Sequence, residues 1–170
     1  MHEGILVLLA GAPGSGKSTL LPHLLKAADG LVVMDMDELL EDGRLIGVPI
    51  ATMDAAPVWP VYDRMWTRIV TMVRRAGHPV LLLCPVPDAD ELAPGGRWTG
   101  DVHCALLDCS DTERLRRLRA RGDMPDEVED AMADAARART LIPTVFRTDD
   151  ADVTELATRI ADYANKLRLQ

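Results

Sequence analysis

Eight residues near the amino end have the types and spacing of a phosphate-binding loop. They read G-A-P-G-S-G-K-S from Gly11 to Ser18, matching the pattern G-x-x-x-x-G-K-S/T, and an apolar run precedes them. Glycines let the backbone turn its N–H groups around a phosphate, and a helix beginning at Lys17 adds the positive end of its dipole. The pattern predicts that Lys17 reaches the β- and γ-phosphates and that Ser18 binds Mg²⁺. The residues expected to bind the nucleotide here are Gly11, Ala12, Pro13, Gly14, Ser15, Gly16, Lys17, Ser18 and Thr19.

Two carboxylates, Asp35 and Asp37, follow the second apolar run of the chain. In an open parallel sheet the carboxyl ends of neighbouring strands border one crevice, so both side chains can face the γ-phosphate. Residues at i and i+2 of an extended chain also project to the same side. We therefore predict that Asp35 binds the metal and that Asp37 takes the proton of an attacking hydroxyl. In the alternative interpretation, Asp37 only caps a short helical turn over residues 38–42.

Arginines are concentrated between residues 114 and 121, although the chain as a whole is acidic. A local positive patch of this kind suits a polyphosphate. Not every guanidinium can face one ligand, and we expect Arg114 and Arg116 to be solvated or paired with Asp111 and Glu113. The five arginines are Arg114, Arg116, Arg117, Arg119 and Arg121.

A second group of residues could bind the molecule that receives the phosphoryl group. Arg64 and Arg68 stand one helical turn apart, as an anion clamp requires, or else form an exposed stripe paired with Asp63. Trp59 could form a wall of a pocket for a ring-bearing acceptor, whereas Trp66 is expected in the core. The predicted acceptor-binding residues are Asp35, Asp37, Trp59, Arg64 and Arg68.

Apolar runs that alternate with helical patterns must position these groups. A doubly wound α/β fold follows from this order of elements, and 170 residues suffice for one domain over residues 1–170. The predicted strands span residues 5–10, 31–34, 80–84, 102–108 and 144–147, and the predicted helices span 17–28, 61–76, 112–121, 126–139 and 153–167.

The composition excludes several partners. The formal net charge of −8 repels polyanions, so we expect no nucleic-acid partner. No apolar run approaches the ~20 residues of a membrane span. Three cysteines without metal-ligand spacing fit small buried residues in a reducing compartment. We expect a cytoplasmic monomer or homodimer with no membrane partner.

Two other classes of protein with this loop are disfavoured. A GTPase needs a D-x-x-G switch, but no Asp of this chain stands three residues before a Gly. It also needs N-K-x-D, whereas the Asn165-Lys166 pair continues with Leu and Arg. An AAA+ motor normally needs a longer chain.

The loop, the D-x-D segment and the arginine-rich segment together resemble the small P-loop kinases, which include shikimate, gluconate, adenylate and chloramphenicol kinases. The resemblance implies a three-layer P-loop NTPase fold with a five-stranded parallel sheet of order 2-3-1-4-5, helices on both faces and a small mobile lid over about 117–139. It also implies ATP as the donor, Mg²⁺ as cofactor and a small-molecule acceptor. By its R-L-x-x-R spacing, Arg117 and Arg121 would contact the nucleotide and stabilise the transferring charge.

One departure from these kinases concerns the third strand, which ends at Cys84 where a carboxylate is common. We expect Asp35 to take over its role and Asp108, after the fourth strand, to be structural or capping. The sequence thus predicts an ATP- and Mg²⁺-dependent kinase acting on a hydroxyl or phosphate of a small molecule. The alternative is a regulatory ATP-binding module that hydrolyses ATP slowly and has no acceptor.

Overall fold

A parallel sheet with helices on both faces forms the framework of the protein. The computed structural model describes residues 3–50 and 55–169. In chain order the elements are β1 (Leu6–Ala10), α1 (Lys17–Ala27), β2 (Val32–Asp35), a 3₁₀ turn (Met36–Leu39), β3 (Arg44–Leu45), β4 (Val48–Pro49), α2 (Trp59–Arg75), β5 (Val80–Cys84), α3 (Ala89–Leu92), β6 (Val102–Asp108), α4 (Asp111–Arg121), α5 (Pro125–Leu141), β7 (Val145–Arg147) and α6 (Val153–Arg168).

The main sheet has the order β2-β5-β1-β6-β7, and every pair in it is parallel. Counted over these five strands alone, the order is 2-3-1-4-5, so the predicted fold class and sheet order are confirmed. Strand β1 lies in the centre, where Ala10 is paired with Cys84 on one side and Leu106 on the other. The loop that follows β1 therefore leaves the sheet between β5 and β6, at the carboxyl edge of the strands, where ligands bind in such folds.

The burial of β1 explains its unbroken apolar sequence. Leu6 and Leu8 lie in one core cluster, which also contains Tyr62 and Trp66 of α2. Val7 and Leu9 lie in the other, which contains residues of α1 and α6. Because successive side chains of a strand point to opposite faces, a strand between two helical layers must be apolar at every position.

Two short elements were not predicted. The β3–β4 hairpin turns at Ile46 and Gly47, both with positive φ, and Ile46 is exposed. Helix α3 has only four residues, and its first turn is closed by Asp88 and Glu91. Both lie in polar, Gly- and Pro-containing segments, where no periodic apolar pattern marks an element.

The segment predicted as a lid is helical on both sides of a three-residue link, 122–124. Gly122 adopts φ +89° at the end of α4, and α5 begins at Pro125. Three alanines of α5 are buried, so this helix packs against the body of the protein along one face. The mobility of this segment stays a prediction.

Among the described residues, no helix has both the length and the apolar character needed to cross a bilayer.

Candidate active site

The loop between β1 and α1 has the backbone conformation that its glycines permit. Gly14 has φ +77° and Gly16 has φ +102°, values in the left-handed region that favours glycine. Gly16 directly precedes α1, and no side chain caps this end of the helix. The first N–H groups of α1 are therefore free to bind an anion.

Lys17 lies between this loop and the two carboxylates. Its Nζ donates a hydrogen bond to the carbonyl oxygen of Gly11. Burial lowers the pKa of Lys17, and the negative charges of Asp37 and Asp35 act in the opposite direction. The structure thus brings together the lysine and the two aspartates that the sequence singled out.

Asp35 and Asp37 differ in their surroundings. Asp35 is buried, its Oδ1 accepts a hydrogen bond from the N–H of Asp37 over 3.0 Å, and its own N–H donates to Glu38. Burial raises the pKa of Asp35, and the N–H of Asp37 partly offsets this effect. Asp37 is exposed. The interpretation of Asp37 as the cap is wrong, because Asp35 caps the turn and leaves the Asp37 carboxylate free for another role.

The carbonyl of Met36, between the two aspartates, is fixed by two aromatic residues of α2. Tyr62 donates to it over 2.5 Å and Trp66 over 3.0 Å. Trp66 is buried in the core as predicted, whereas Trp59 is 36% exposed and meets the Tyr62 ring edge-on at 5.6 Å. Tyr62 belongs to the helix expected to hold the acceptor, but its hydrogen bond to Met36 was not predicted, although its position four residues before Trp66 was a usable signal.

Arg64 and Arg68 are not brought to this crevice. Arg64 lies two residues after Tyr62, and Arg68 lies two residues after Trp66. Two residues correspond to about 200° around a helix, so both arginines face away from the Met36 carbonyl. Both are exposed, and neither has a partner among residues 3–50 and 55–169. The suggested pairing with Asp63 is wrong, because Asp63 accepts from Arg97 over 2.7 Å. A role for the two arginines in binding the acceptor stays a prediction.

Two of the arginines expected at the nucleotide lie in different places. Arg117 Nη1 donates to the carbonyls of Gly14 and Ser15 and to the hydroxyl of Thr148. Arg121 pairs with Asp123 and is 61% exposed, so in this conformation it does not contact the loop. Arg116 pairs with Glu113 as predicted.

The prediction for Arg114 is wrong, because it is neither solvated nor paired with Asp111 or Glu113. It is fully buried, and its guanidinium pairs with Asp108 over 2.5 Å and donates to carbonyls of the phosphate-binding loop. Asp108 also accepts from Arg139, which confirms that this carboxylate is structural. The spacing of the arginines gave no means of identifying the buried one.

A cavity of about 380 Å³ adjoins the loop on the side of Arg117. Its wall combines the start of α1, two arginines of α4 and apolar residues around the start of α6, a suitable combination for a ring and its attached phosphates. The residues after β7 were not predicted to contribute. The cavity is lined by Gly16, Thr19, Leu20, Glu113, Arg116, Arg117, Thr148, Ala151, Val153 and Leu156.

The residues near the loop fit a magnesium ion held mainly by other ligands. Ser18 is exposed at the start of α1, and the buried carboxyl of Asp35 has no cationic side chain paired with it in the described part of the chain. That same part contains no cluster of three or more metal-ligating side chains. Mg²⁺ commonly takes one or two protein oxygens and completes its shell with phosphates and water.

Solved structures with the same fold cover nearly the whole chain. Shikimate kinase from Acinetobacter baumannii in complex with shikimate has a TM-score of 0.64 at 14% identity, over 98% of this chain and 96% of that one. A gluconokinase from Sinorhizobium meliloti 1021 has a TM-score of 0.59 at 18% identity, over 98% and 94%. The tunicamycin resistance protein of Deinococcus radiodurans has a TM-score of 0.63 at 21% identity, over 94% and 95%. The resemblance to small P-loop kinases is confirmed at the level of the fold.

Comparison at the level of sequence gives two further results. No curated protein sequence matches this chain. A family model described as an AAA domain matches residues 7–139. A match to this domain does not measure motor activity, so the absence of such activity stays a prediction. Because the match spans well over half of the 170 residues, the chain belongs to this AAA domain family.

Proposed function

We propose that this protein is a cytoplasmic, Mg²⁺- and ATP-dependent kinase that transfers the γ-phosphoryl group to a hydroxyl or phosphate of a small molecule. The observation that carries the proposal is the exposed carboxylate of Asp37, whose negative charge acts on Lys17 and opposes the lowering of the lysine pKa by burial. A free carboxylate beside a phosphate-binding lysine is positioned to receive a proton from an acceptor. Two of the solved structures with this fold are called shikimate kinase and gluconokinase.

The donor nucleotide would extend from the loop into the adjoining cavity. The N–H groups of Gly14 and of residues 16–19 and the ammonium of Lys17 would bind the phosphates, while the Ser15 N–H donates to the Ala12 carbonyl. Lys17 would exchange its hydrogen bond to Gly11 for one to a phosphate oxygen. The base and ribose would occupy the cavity beside Arg117, and Arg121 would join the phosphates only after leaving Asp123.

Ser18 and Asp35 would hold Mg²⁺ together with phosphate oxygens and water. The bound ion would neutralise negative charge that develops on the phosphates. A cation beside Asp35 would favour its ionised form and so oppose the effect of burial on its pKa. Asp35 therefore has a physical reason to bind a cation as well as to cap the 3₁₀ turn.

Asp37 would act on the acceptor. When the acceptor is an alcohol, its oxygen attacks the γ-phosphorus, its proton passes to the Asp37 carboxylate, and ADP leaves with the bridging oxygen. Lys17 would donate to the γ-phosphate as its charge redistributes. Trp59 is partly exposed and meets the ring of Tyr62, whose hydroxyl is bonded to Met36 between the two aspartates, so Trp59 would contact the acceptor.

The experiment that tests the proposal measures phosphoryl transfer from radiolabelled ATP and ADP release. The acceptors are nucleosides, nucleoside monophosphates, shikimate, gluconate, and aminocyclitol and phenicol antibiotics, each with Mg²⁺. We expect one class to become labelled and to stimulate ADP release. A Lys17→Ala variant serves as the control, because it should abolish both signals if they arise at this site.

A second outcome would favour the regulatory module. Cys84 stands at the end of β5 next to the loop, and burial raises the pKa of its thiol, so it is no substitute for a carboxylate. Slow ADP release that no acceptor changes, and that Lys17→Ala removes, would contradict the kinase proposal. It would indicate a nucleotide-binding module whose lid-closed form is recognised by a partner.

A further inference from the structure

Arg114 contacts the backbone of the phosphate-binding loop from beneath. Its Nη1 donates to the carbonyl of Pro13 over 2.5 Å and to that of Ala12 over 3.3 Å. Its side-chain stem lies against Gly14, where an added Cβ would come within 3.2 Å of Arg114 Cγ. The planar fork of a guanidinium can serve a carboxylate on one side and two carbonyls on the other, which a lysine ammonium cannot do with the same geometry.

A buried charge of this kind needs a partner, and Asp108 provides it. Asp108 is 1% exposed and accepts from Arg114 over 2.5 Å and from Arg139 over 2.7 Å. The pair spans from the end of β6 to the floor of the loop. Arg139 is a second cationic partner of Asp108. The carboxylate is therefore neutralised even though Arg114 also donates to the loop.

The contact with Pro13 determines where the next N–H points. In a trans peptide unit the C=O and the following N–H point in opposite directions. The Pro13 carbonyl points toward Arg114, so the N–H of Gly14 points away from it. Within residues 3–50 and 55–169 this N–H has no hydrogen-bond partner.

Arg117 holds a carbonyl oxygen in the second half of the loop in the same way. It donates to the carbonyl of Ser15 over 3.2 Å, and Thr148 donates to the same oxygen over 3.0 Å. The N–H of Gly16 therefore also points away from α4. Two arginines one turn apart on α4 thus hold carbonyls of the loop and direct the N–H groups of Gly14 and Gly16 to its other side, whereas the Ser15 N–H donates to the Ala12 carbonyl.

We propose that Arg114 is a positioning residue: it orients the Gly14 N–H toward the phosphates by holding the Pro13 carbonyl. It touches neither nucleotide nor acceptor and acts through the loop backbone. The proposal rests on the proposed function only in requiring that the loop bind polyphosphate. It assigns to α4 a role in building the donor site that is independent of any movement of the lid.

The test measures binding of inorganic tripolyphosphate and of ATP by isothermal titration calorimetry. Arg114→Met keeps the unbranched stem against Gly14 and removes the guanidinium. We expect its dissociation constant for tripolyphosphate to rise about tenfold or more, the effect of losing one well-oriented hydrogen bond to a charged group. A Kd unchanged in the folded variant would overturn the proposal.

Arg74→Met is the matched control, because Arg74 is also buried, at 2% exposure, and also donates to backbone carbonyls. Its acceptors, Gly4, Thr99 and Asp101, lie at the opposite end of the sheet from the loop. It should lower the melting temperature and leave tripolyphosphate binding within about twofold, as expected for a site remote from the change. An equal loss of binding in both variants would show a general loss of structure and contradict a specific role.

Arg114→Lys separates positioning from charge. If Arg114 acted only through its positive charge, lysine would restore tripolyphosphate binding fully, and the proposal would fail. We expect lysine to leave most of the loss, since one ammonium cannot hold both Asp108 and the Pro13 carbonyl.

A crystal structure of the unaltered protein with tripolyphosphate decides the question if the variants do not fold. It should show Arg114 on the Pro13 carbonyl and the Gly14 N–H on a phosphate oxygen, and a flipped Pro13–Gly14 peptide would overturn the proposal. Failure of the unaltered protein to bind tripolyphosphate and ATP would instead contradict the proposed function.

Discussion

Tyr62 donates its phenolic hydrogen to the carbonyl oxygen of Met36 across 2.5 Å. Met36 separates the buried Asp35 from the exposed Asp37, so this bond ties helix α2 to the backbone between the two carboxylates. Trp66 donates to the same oxygen over 3.0 Å. The direction in which the Asp37 side chain leaves the backbone is therefore set by the core face of α2.

Tyr62→Phe tests this bond with little change of shape. We expect the free energy of unfolding to fall by about 1 kcal/mol, because Trp66 still satisfies the Met36 carbonyl. Urea denaturation of both proteins measures the difference. Tyr163→Phe is the control: Tyr163 packs edge-on against Phe146, and its hydroxyl has no partner among the described residues. A larger loss in the control would argue against the importance of the Met36 contact.

Asp37→Asn should remove phosphoryl transfer while leaving donor binding in place. Asparagine keeps the size of the side chain but cannot accept the acceptor proton, so we expect kcat to fall by about 100-fold or more. The Kd for ATP should change by no more than about twofold, since the phosphates are bound by the loop. Transfer kinetics and calorimetry give the two values.

The matched control for that experiment is Asp42→Asn. Asp42 is exposed with φ +51°, a conformation that asparagine tolerates well, so the fold should be unaffected. Full activity of this variant beside an inactive Asp37→Asn would locate the effect at residue 37. An Asp37→Asn enzyme with normal kcat would exclude Asp37 as the base.

Asp35→Asn should raise the Mg²⁺ concentration needed for half-maximal activity. Asparagine caps a helical turn as well as aspartate does, so the 3₁₀ turn should be retained. The loss of one anionic oxygen should nevertheless weaken the metal site several-fold, by an amount on the order of 1 kcal/mol. Activity titrated with Mg²⁺ at saturating ATP measures the shift, and EDTA should abolish activity in both proteins. An unchanged titration would mean that Asp35 serves only as the cap.

The sequence predicted the parts of the site that depend on a local pattern. The loop from Gly11 to Ser18 and the carboxylates at the end of β2 could be located because motif and strand order together fix their edge of the sheet. Which arginine of α4 is buried could not be predicted, because the burial of Arg114 depends on the phosphate-binding loop, whose carbonyls it contacts from about a hundred residues along the chain. Thr148, which contacts both Arg117 and the Ser15 carbonyl, is likewise distant from the loop in sequence.

The buried pair of Asp108 and Arg114 predicts a specific dependence of stability on pH. Burial alone would raise the pKa of Asp108, but hydrogen bonds from Arg139 and from the Cys109 N–H, together with the charges of Arg139 and Arg114, lower it below the ordinary 3.8. A carboxyl whose pKa is lower in the folded state contributes stability that is present above its unfolded pKa. This contribution is lost as the pH falls through the folded pKa.

Asp108→Asn should accordingly be less stable than the unaltered protein near neutral pH, by about 3 kcal/mol, because it leaves the buried Arg114 charge without its carboxylate. The difference should shrink once the pH falls below 3.8, as the native carboxyl itself becomes protonated. Urea denaturation of both proteins at several pH values between neutral and strongly acidic measures it. Asp111→Asn removes an exposed partner of Arg139 and should cost no more than about 0.5 kcal/mol. A difference for Asp108→Asn that stayed constant with pH would show that its charge does not stabilise the fold.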